Sequence, residues 1–235
     1  MRGKSGYASQ IINCESKFTM YSIKKIFGPT IQGEGSMTGT VCFFIRFAGC
    51  NRWDGRIETR NESECPFCDT DFYKGDKLSI NDILFQLKEL DTKTKWITLS
   101  GGEPSLQLVK KPDLIYALKN EGYKLAIETN GSVNNKIFEL LNHVTLSPKQ
   151  IYEDTLLRKC NTLKLLFPHP NPDIIPSNFE NIQAEHYYLQ PIEPVMLNNN
   201  KLNQWKDNTK RTIDYCYKNP KWKLSAQVHK WLDLE

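Results

Sequence analysis

The chain has 235 residues, of which 39% are hydrophobic and 25% charged, and its formal net charge is +4. This composition is ordinary for a globular protein with a sizeable core, and no apolar run is long enough to predict a transmembrane helix. The mild positive excess suits an anionic small substrate or an acidic partner, and it is too weak to indicate nucleic-acid binding.

The chain order predicts a short extension followed by one domain. Residues 1–19 are polar and aperiodic, so we predict a flexible N-terminal extension ahead of a single domain over 20–235. Predicted strands are Tyr21–Ile26, Val41–Phe47, Trp96–Ser100, Lys124–Glu128, His143–Ser147, Thr162–Phe167, His186–Gln190 and Lys223–Ala226. Predicted helices are Ile80–Leu90, Pro112–Glu121, Asn134–Leu141 and Lys201–Lys218. This alternation predicts an α/β fold with a mostly parallel sheet, open or partly closed as a barrel, whose chemistry follows the carboxyl ends of the strands.

Two of these helices carry terminal signals. Ser79 precedes an apolar-periodic stretch with Asp82 in its first turn, which is typical of a helix N-cap. Gly122 follows Glu121 and suits the position just past a helix C-terminus.

The seven cysteines, at positions 14, 42, 50, 65, 68, 160 and 216, do not suggest a disulfide framework. Their number is odd, their spacing is irregular, and the N-terminus lacks the apolar stretch of a secretory signal. We therefore expect free thiols and a reducing, cytoplasmic location.

Three of the cysteines form a pattern. Cys65 and Cys68 make a CxxC pair, and Cys50 precedes that pair by a charged fourteen-residue insertion, 51–64, directly after a predicted strand. A structural zinc or a fully ligated iron–sulfur cluster needs four ligands, and no histidine lies near the motif. A thioredoxin-like dithiol is an alternative from CxxC alone, but it leaves Cys50 unexplained. Three thiolates on a four-iron cluster would leave one iron open to a small molecule.

A second motif, Ser100-Gly101-Gly102-Glu103-Pro104, follows the strand that begins at Trp96. Its glycines permit close backbone approach to a ligand, and its Glu can accept a hydrogen bond from an ammonium or hydroxyl group. On its own the motif could equally be a tight turn.

Together with further segments, these motifs resemble the 7-carboxy-7-deazaguanine synthase family of the radical S-adenosylmethionine (SAM) superfamily. The matching segments are TIQGEG (30–35), FFIRFAGCN (43–51), CDTDF (68–72), SGGEPSLQ (100–107), AIETNGS (126–132), LSPK (146–149), YLQPIEP (188–194) and LSAQVHKWL (224–232). The superfamily's usual first cysteine gap is three residues, whereas the fourteen-residue gap resembles one branch of this family. The resemblance implies a partial, modified (β/α) TIM-like barrel.

The resemblance also implies an activity: ring contraction of 6-carboxy-5,6,7,8-tetrahydropterin to 7-carboxy-7-deazaguanine with loss of ammonia, in queuosine or deazapurine biosynthesis. SAM would be a recycled cofactor that generates a 5′-deoxyadenosyl radical. The implied partners are an electron donor such as flavodoxin or ferredoxin and a second copy of the chain. No membrane or direct nucleic-acid partner is expected.

Residue roles follow from the resemblance, position by position. Cys50, Cys65 and Cys68 would ligate a [4Fe-4S] cluster, Thr70 would ligate Mg²⁺, and Glu34 would take part in catalysis. The implied SAM-binding residues are Phe67, Asp69, Gly102, Glu103, Glu128, Asn130, Ser147, Pro148, Lys149, Gln190, Pro191, Ile192 and Glu193. The implied substrate residues are Ile31, Gln32, Gly33, Glu34, Arg46, Ser100, His229 and Glu235. Members of this branch often end in proline, and Glu235 departs from that pattern.

Three of these positions have a chemistry that suits the role implied by the resemblance. Glu34 follows a strand in a glycine-flanked loop and can accept paired N–H donors from a pterin edge. Arg46 lies within an apolar strand and needs an anionic partner, either a substrate carboxylate or an internal ion pair. Thr70 could offer its hydroxyl to Mg²⁺, which prefers oxygen ligands, or could cap a turn.

Two other classes of function remain open from the sequence. A radical SAM activase, such as a glycyl-radical activase, would act on a protein, and the QGEG segment with Arg46 argues instead for a small carboxylated substrate. A zinc module that binds RNA would hold stoichiometric zinc, and the chain has no basic-aromatic stripe to support it.

Overall fold

The computed structural model of the protein describes residues 19–90, 93–193 and 201–234. The predicted N-terminal extension, apart from Thr19, and the predicted substrate residue Glu235 lie outside these ranges. Nine strands form one sheet: β1 Met20–Ile31, β2 Val41–Phe47, β3 Asp76–Ser79, β4 Trp96–Gly101, β5 Lys124–Thr129, β6 His143–Leu146, β7 Lys159–Phe167, β8 Gln183–Pro191 and β9 Trp222–Leu224. The α-helices are α1 Ile80–Leu90, α2 Ser105–Leu108, α3 Asp113–Asn120, α4 Lys201–Lys218 and α5 Val228–Trp231.

The sheet is mostly parallel, as predicted. Its strand order is β3-β1-β2-β4-β5-β6-β7-β8-β9, and every pair from β2 to β9 is parallel. Only β1 runs against its neighbours β2 and β3. The short connection between β1 and β2 permits this antiparallel pairing, whereas parallel neighbours need longer crossovers.

The core lies between the sheet and its helices. Central strands contribute fully buried side chains such as Phe43, Ile45 and Leu99, and α1 turns Ile83 and Leu87 onto this layer. Strands buried on both faces have nearly continuous apolar sequences, which is why the strand predictions at β2 and β4 agree closely with the structure.

Both predicted helix-terminal signals are confirmed. The backbone N–H of Asp82 donates to Ser79 Oγ at 3.2 Å, and Ser79 N and Oγ donate back to the Asp82 carboxylate at 2.8 and 2.6 Å. Gly122 has a φ of +84°, and its N–H donates to the Lys119 carbonyl, which ends α3.

One helix prediction is wrong. Instead of an α-helix over 134–141, the chain forms a short 3₁₀ turn at Lys136–Leu140. Asn142 exchanges two hydrogen bonds with Leu125, which returns the chain to the sheet at His143 after a single short turn. Strand β3 and helices α2 and α5 carried no clear periodicity and were not predicted.

The sheet curves far enough for its two sides to meet. Glu34, in the loop after β1, contacts Lys164 of β7 and Gln190 of β8. The N–H of Gly35 donates to Ser225 Oγ, just past β9, at 3.0 Å. The result is a partial barrel whose strand ends surround a common space. In the described ranges, no helix has the length and apolar character needed to cross a lipid bilayer.

Candidate active site

A cavity of about 350 Å³ lies at the carboxyl ends of the strands, where parallel α/β folds place their ligands. It brings together nearly all of the predicted site residues. Those that line it are Ile31, Gln32, Gly33, Glu34, Arg46, Cys50, Cys65, Phe67, Cys68, Asp69, Thr70, Ser100, Gly102, Glu103, Glu128, Asn130, Ser147, Lys149, Gln190, Pro191, Ile192, Glu193 and His229. Pro148 is buried beside the cavity without lining it.

One part of the cavity, which we call the cysteine end, is formed by Cys50, Cys65 and Cys68. Burial raises the pKa of all three thiols, that of Cys65 to about 12. Unligated thiols here are therefore protonated at neutral pH, and a metal that binds them must displace those protons. The ligand chemistry fits an iron–sulfur cluster, which is bound by cysteine thiolates.

The insertion 51–64 packs back onto the cysteine loop. The Arg60 guanidinium donates to the Cys68 carbonyl at 2.6 Å and lies 4.4 Å from the Trp53 ring centroid. Trp53 is buried and packs edge-to-face against Phe72, with ring centroids 5.4 Å apart. The insertion therefore includes a packed aromatic–arginine clasp that fixes the backbone of a predicted cluster ligand.

The two glycines at the end of β4, Gly101 and Gly102, lie against the backbone of residues 47–49. A Cβ on Gly102 would lie 2.0 Å from the Gly49 carbonyl oxygen, and one on Gly101 would lie 2.1 Å from the Phe47 carbonyl oxygen. The N–H of Glu103 also donates to Gly49 O at 2.9 Å. These glycines approach the backbone of the segment that precedes Cys50, and they also line the cavity, where a ligand is predicted to bind.

The Glu103 side chain is buried, and its carboxylate accepts several hydrogen bonds from the protein. Its oxygens accept from Ser105 N and Oγ, from Thr129 Oγ1 at 2.7 Å and from the N–H of Asn130 at 2.7 Å. Burial raises its pKa, and these donors offset part of that rise. Glu103 thus connects the ends of β4 and β5 and orients the backbone there.

Lys149 lies close to the cysteine end. Its ammonium donates to the Ser147 carbonyl at 2.8 Å and to Ser147 Oγ at 2.7 Å. Burial lowers its pKa, and the nearby Cys65 and Cys68 act in the opposite direction. The arrangement places a cation beside the two thiols of the CxxC pair.

Another part of the cavity, which we call the carboxylate end, is formed by Glu34, Glu128 and Lys164. The Lys164 ammonium pairs with Glu34 and lies 3.1 Å from Glu128 Oε2. Burial alone would raise the pKa of Glu34, but Lys164 outweighs it and lowers that pKa to about 2. Burial raises the pKa of Glu128, with Glu34 adding to the rise and Lys164 opposing it.

Glutamine side chains complete the hydrogen bonding of the carboxylate end. Glu34 Oε1 accepts from Gln190 Nε2 at 3.0 Å and from Gln227 Nε2 at 2.8 Å. Gln32 Nε2 donates to Glu128 Oε1 at 3.3 Å. Each carboxylate is therefore held in one orientation by donors from several elements, which is the preorganisation that recognition of a planar ligand needs.

Arg46 also lines the cavity, with its guanidinium carbon 5.1 Å from the Phe27 ring centroid. Within the described residues, its buried Nε has no hydrogen-bond acceptor. Ser100 lies next to Arg46 in the register of β2 and β4. An arginine that lines a cavity and has an unsatisfied donor can bind a carboxylate through its guanidinium group.

The C-terminal segment covers one side of the cavity. The N–H of Val228 donates to the Gly33 carbonyl at 3.0 Å, and His229 packs so closely on Gly33 that a Cβ there would lie 2.2 Å from Nδ1. Lys230 bridges Asp69 and Glu193, with both ion pairs at 2.6 Å. Two residues predicted to bind SAM are thus joined by a lysine that the sequence analysis missed.

Lys164 is the main omission of the sequence analysis, and Gln227 is another. A signal for Lys164 was present, because it interrupts the apolar run of β7, and a lysine is rarely buried without a paired charge. The same argument had identified Arg46. Gln227 lies outside any periodic pattern and had no comparable signal.

The described residues contain no group of three or more His, Cys, Asp or Glu side chains gathered closely enough to hold a single metal ion. The three thiols instead line a shared cavity.

Several known proteins are similar to this chain in sequence or in fold. A family model described as the Radical SAM superfamily matches residues 60–167. The chain is 35% identical to the 7-carboxy-7-deazaguanine synthase of Bradyrhizobium diazoefficiens, over 91% of this chain and 99% of that protein. It is 36% identical to the enzyme of the same name from Burkholderia multivorans, again over 91% and 99%. The solved structure of QueE from Escherichia coli matches with a TM-score of 0.59 at 21% identity, covering 88% of this chain and 93% of that one. This likeness confirms the predicted partial-barrel fold.

Proposed function

The chain belongs to the 7-carboxy-7-deazaguanine synthase family, and we propose that it converts 6-carboxy-5,6,7,8-tetrahydropterin to 7-carboxy-7-deazaguanine with loss of ammonia. The protein would then be a carbon–nitrogen lyase of deazapurine biosynthesis. The observation that carries the proposal is that one cavity holds three thiols together with a preorganised carboxylate–lysine array. Such a cavity can hold a redox cofactor beside a small polar heterocycle.

Cys50, Cys65 and Cys68 would hold a [4Fe-4S] cluster and leave one iron for SAM. When bound, the cluster supplies the electron that cleaves SAM into methionine and a 5′-deoxyadenosyl radical. The chain's own contribution is position: Arg60 fixes the Cys68 backbone, and the glycines before Glu103 hold the Cys50 segment against the end of β4.

SAM would lie along the strand ends between Gly102 and Glu193, as the family resemblance implies. Glu103 orients the end of β5 through the Asn130 N–H, and its Oε2, which accepts this single hydrogen bond among the described residues, would also accept one from the SAM ammonium group. Lys149, beside the CxxC thiols, would favour the negative charge that thiolate ligands carry.

The substrate would lie against the carboxylate end. The ionised Glu34 would accept N–H donors of the pterin edge, and the Arg46 guanidinium would bind the substrate carboxylate. Ser100 and His229 would make further contacts. Thr70 lines the cavity and would ligate Mg²⁺, which can bridge to a substrate carboxylate.

The remaining parts of the proposal concern partners. The reaction needs an electron donor, for which flavodoxin or ferredoxin is suitable, and we propose a homodimer acting in the cytoplasm. The electron donor and the homodimer follow from the resemblance to the family, and the location follows from the irregular cysteine pattern.

The direct test is turnover by the anaerobically reconstituted protein. With SAM, Mg²⁺ and a chemical reductant, it should convert 6-carboxytetrahydropterin to 7-carboxy-7-deazaguanine, followed by chromatography and mass spectrometry. Absence of product from protein with a full complement of iron and sulfide would contradict the proposal.

A further inference from the structure

Lys164 is a deeply buried cation of the cavity, and its side chain is only 5% exposed. It lies between two carboxylates from different strands and loops, Glu34 and Glu128. Two carboxylates and one ammonium leave one net negative charge. A buried lysine is costly unless it is paired, so this triad needs all of its members.

The hydrogen bonds around Glu34 show that its carboxylate acts as an acceptor and not as a donor. Its Oε1 accepts from Gln190 and Gln227, and its Oε2 accepts from Lys164. Every neighbour that contacts the carboxylate is a donor, so the group is held as an acceptor. One acceptor site on Oε2 stays open, and Gln227 Nε2 can donate to Asp69 Oδ2 instead, 3.4 Å away, which would open a second site on Oε1. The carboxylate can therefore accept from a ligand edge that presents N–H groups, and it repels an edge that presents a carbonyl oxygen.

We propose that Lys164 is a positioning and specificity-determining residue that keeps Glu34 an obligate acceptor and so selects ring edges with paired N–H donors. This inference rests on the proposed function, because the pterin is the ligand whose edge carries such donors: a ring N–H beside an exocyclic amino group. A ring with a carbonyl in place of that amino group should be rejected, because two acceptors would then face each other.

The charges that face Glu34 come from several elements. Lys164 belongs to β7, Glu128 to β5 and His229 to α5. Glu128 and Lys149 in turn face Lys164. Of these, Lys164 dominates, because it contacts Glu34 directly and lowers its pKa to about 2.

The test uses stable probes, so it does not depend on turnover. Binding of 6-carboxypterin and of 6-carboxylumazine, which carries a carbonyl in place of the amino group, is measured by calorimetry on the full chain between pH 6 and 7.5. Each variant Kd is divided by the wild-type Kd at the same pH, so that titration of the ligand cancels.

Wild-type protein should prefer 6-carboxypterin at every pH. Lys164→Met should weaken its binding by about tenfold or more and should reduce the preference over 6-carboxylumazine, because Glu34 can then be protonated and donate. The loss should be larger at pH 6 than at pH 7.5, since the carboxylate is recovered as the pH rises. Lys164→Arg should retain the preference, because the charge remains.

A charge-balanced variant separates positioning from net charge. Lys164→Met combined with Glu128→Gln leaves one net negative charge, as in the wild type. Our proposal expects this double variant to stay impaired and pH-dependent. Recovery of wild-type affinity and discrimination would overturn it.

Further controls keep the outcomes distinct. Lys111→Met removes a lysine that donates to the Met20 carbonyl away from the cavity, and it should bind both probes as the wild type does. Thermal melting identifies any variant that fails to fold, in which case Lys164→Arg and the double variant carry the test. A folded Lys164→Met with wild-type discrimination would contradict the inference. Wild-type binding without turnover would instead count against the proposed reaction.

Discussion

The two ends of the cavity differ in whether their acidic side chains are stabilised in the ionised form. At the carboxylate end, Lys164 and two side-chain amides keep Glu34 ionised. At the cysteine end, burial disfavours the thiolate form of Cys50, Cys65 and Cys68, and the supporting contacts are made to the backbone of the loops.

The two ends therefore differ in how far binding and stability depend on the same side chains. Thiols held by loop backbone can be replaced with little effect on the fold, whereas a buried ion triad is part of the fold as well as of the binding site. Substitutions at the cysteine end should therefore affect the cofactor, and those at the carboxylate end should affect both stability and binding.

The largest expected effect is at the cysteine end. Cys65→Ala should abolish cluster assembly and turnover while leaving the melting temperature nearly unchanged, because its thiol supplies a ligand. Iron and sulfide analysis with circular dichroism would measure both. Cys216→Ala, on α4 and outside the cavity, is the matched control and should keep the cluster. Unfolding of Cys65→Ala would instead indicate a structural metal.

At the carboxylate end, Lys164→Met should lower the free energy of unfolding by about 3 kcal/mol at pH 7, because it leaves two buried carboxylates without their cation. Urea denaturation would measure the loss. Addition of Glu128→Gln should recover part of it, since one of the uncompensated charges is then removed. If Lys164→Met were as stable as the wild type, the carboxylate end would contribute no more to stability than the cysteine end.

The same triad predicts a pH dependence with a definite sign. Lys164 lowers the pKa of Glu34 from 4.5 to about 2, so the pair stabilises the fold above about pH 5 and this contribution is lost as the pH falls toward 2. Lys164→Met should therefore lose less stability than the wild type over that acidic range.

A smaller effect is expected in the insertion. Arg60→Gln removes the hydrogen bond to the Cys68 carbonyl and the contact with Trp53, which should cost about 1–2 kcal/mol and speed loss of iron during chelator challenge. Arg56→Gln, in the same insertion, removes only an exposed ion pair with Asp54 and should leave the cluster unaffected. Identical iron loss from the two variants would show that the clasp does not support the cluster.

A modest change in activity is expected at Thr70, which lines the cavity and lies in the loop segment CDTDF, residues 68–72. Thr70→Val should slow turnover several-fold and weaken its Mg²⁺ dependence, because one oxygen ligand is lost while the cluster is kept. Titration of activity with Mg²⁺ would measure this. Unchanged Mg²⁺ dependence would remove Thr70 from the proposed metal site.

The sequence predicted the cysteine end better than the carboxylate end. Cys50 and the CxxC pair carry their chemistry in their spacing, and the strand ends that gather them follow from regular βα alternation. Lys164 and Gln227 reach Glu34 only because the sheet curves, and no local pattern encodes that long-range contact. Lys164 could still have been suspected from its place in an apolar strand.

The errors in the fold have the same origin. The 3₁₀ turn at Lys136–Leu140 has a helical pattern, but the pairing of Asn142 with Leu125 leaves it no room to continue. Helix α5 is held by the bond from Val228 to Gly33 rather than by its own periodicity. Tertiary contacts overrode local preference at both places.

The central claim is that this one cavity holds a cluster with an open iron beside a small-molecule site. It is tested most directly by iron and sulfide content, with electron paramagnetic resonance of the reduced protein before and after addition of SAM. We expect about four iron and four sulfide per chain and a spectrum that changes on SAM binding. Stoichiometric zinc with little iron, or a cluster spectrum that SAM leaves unchanged, would contradict it.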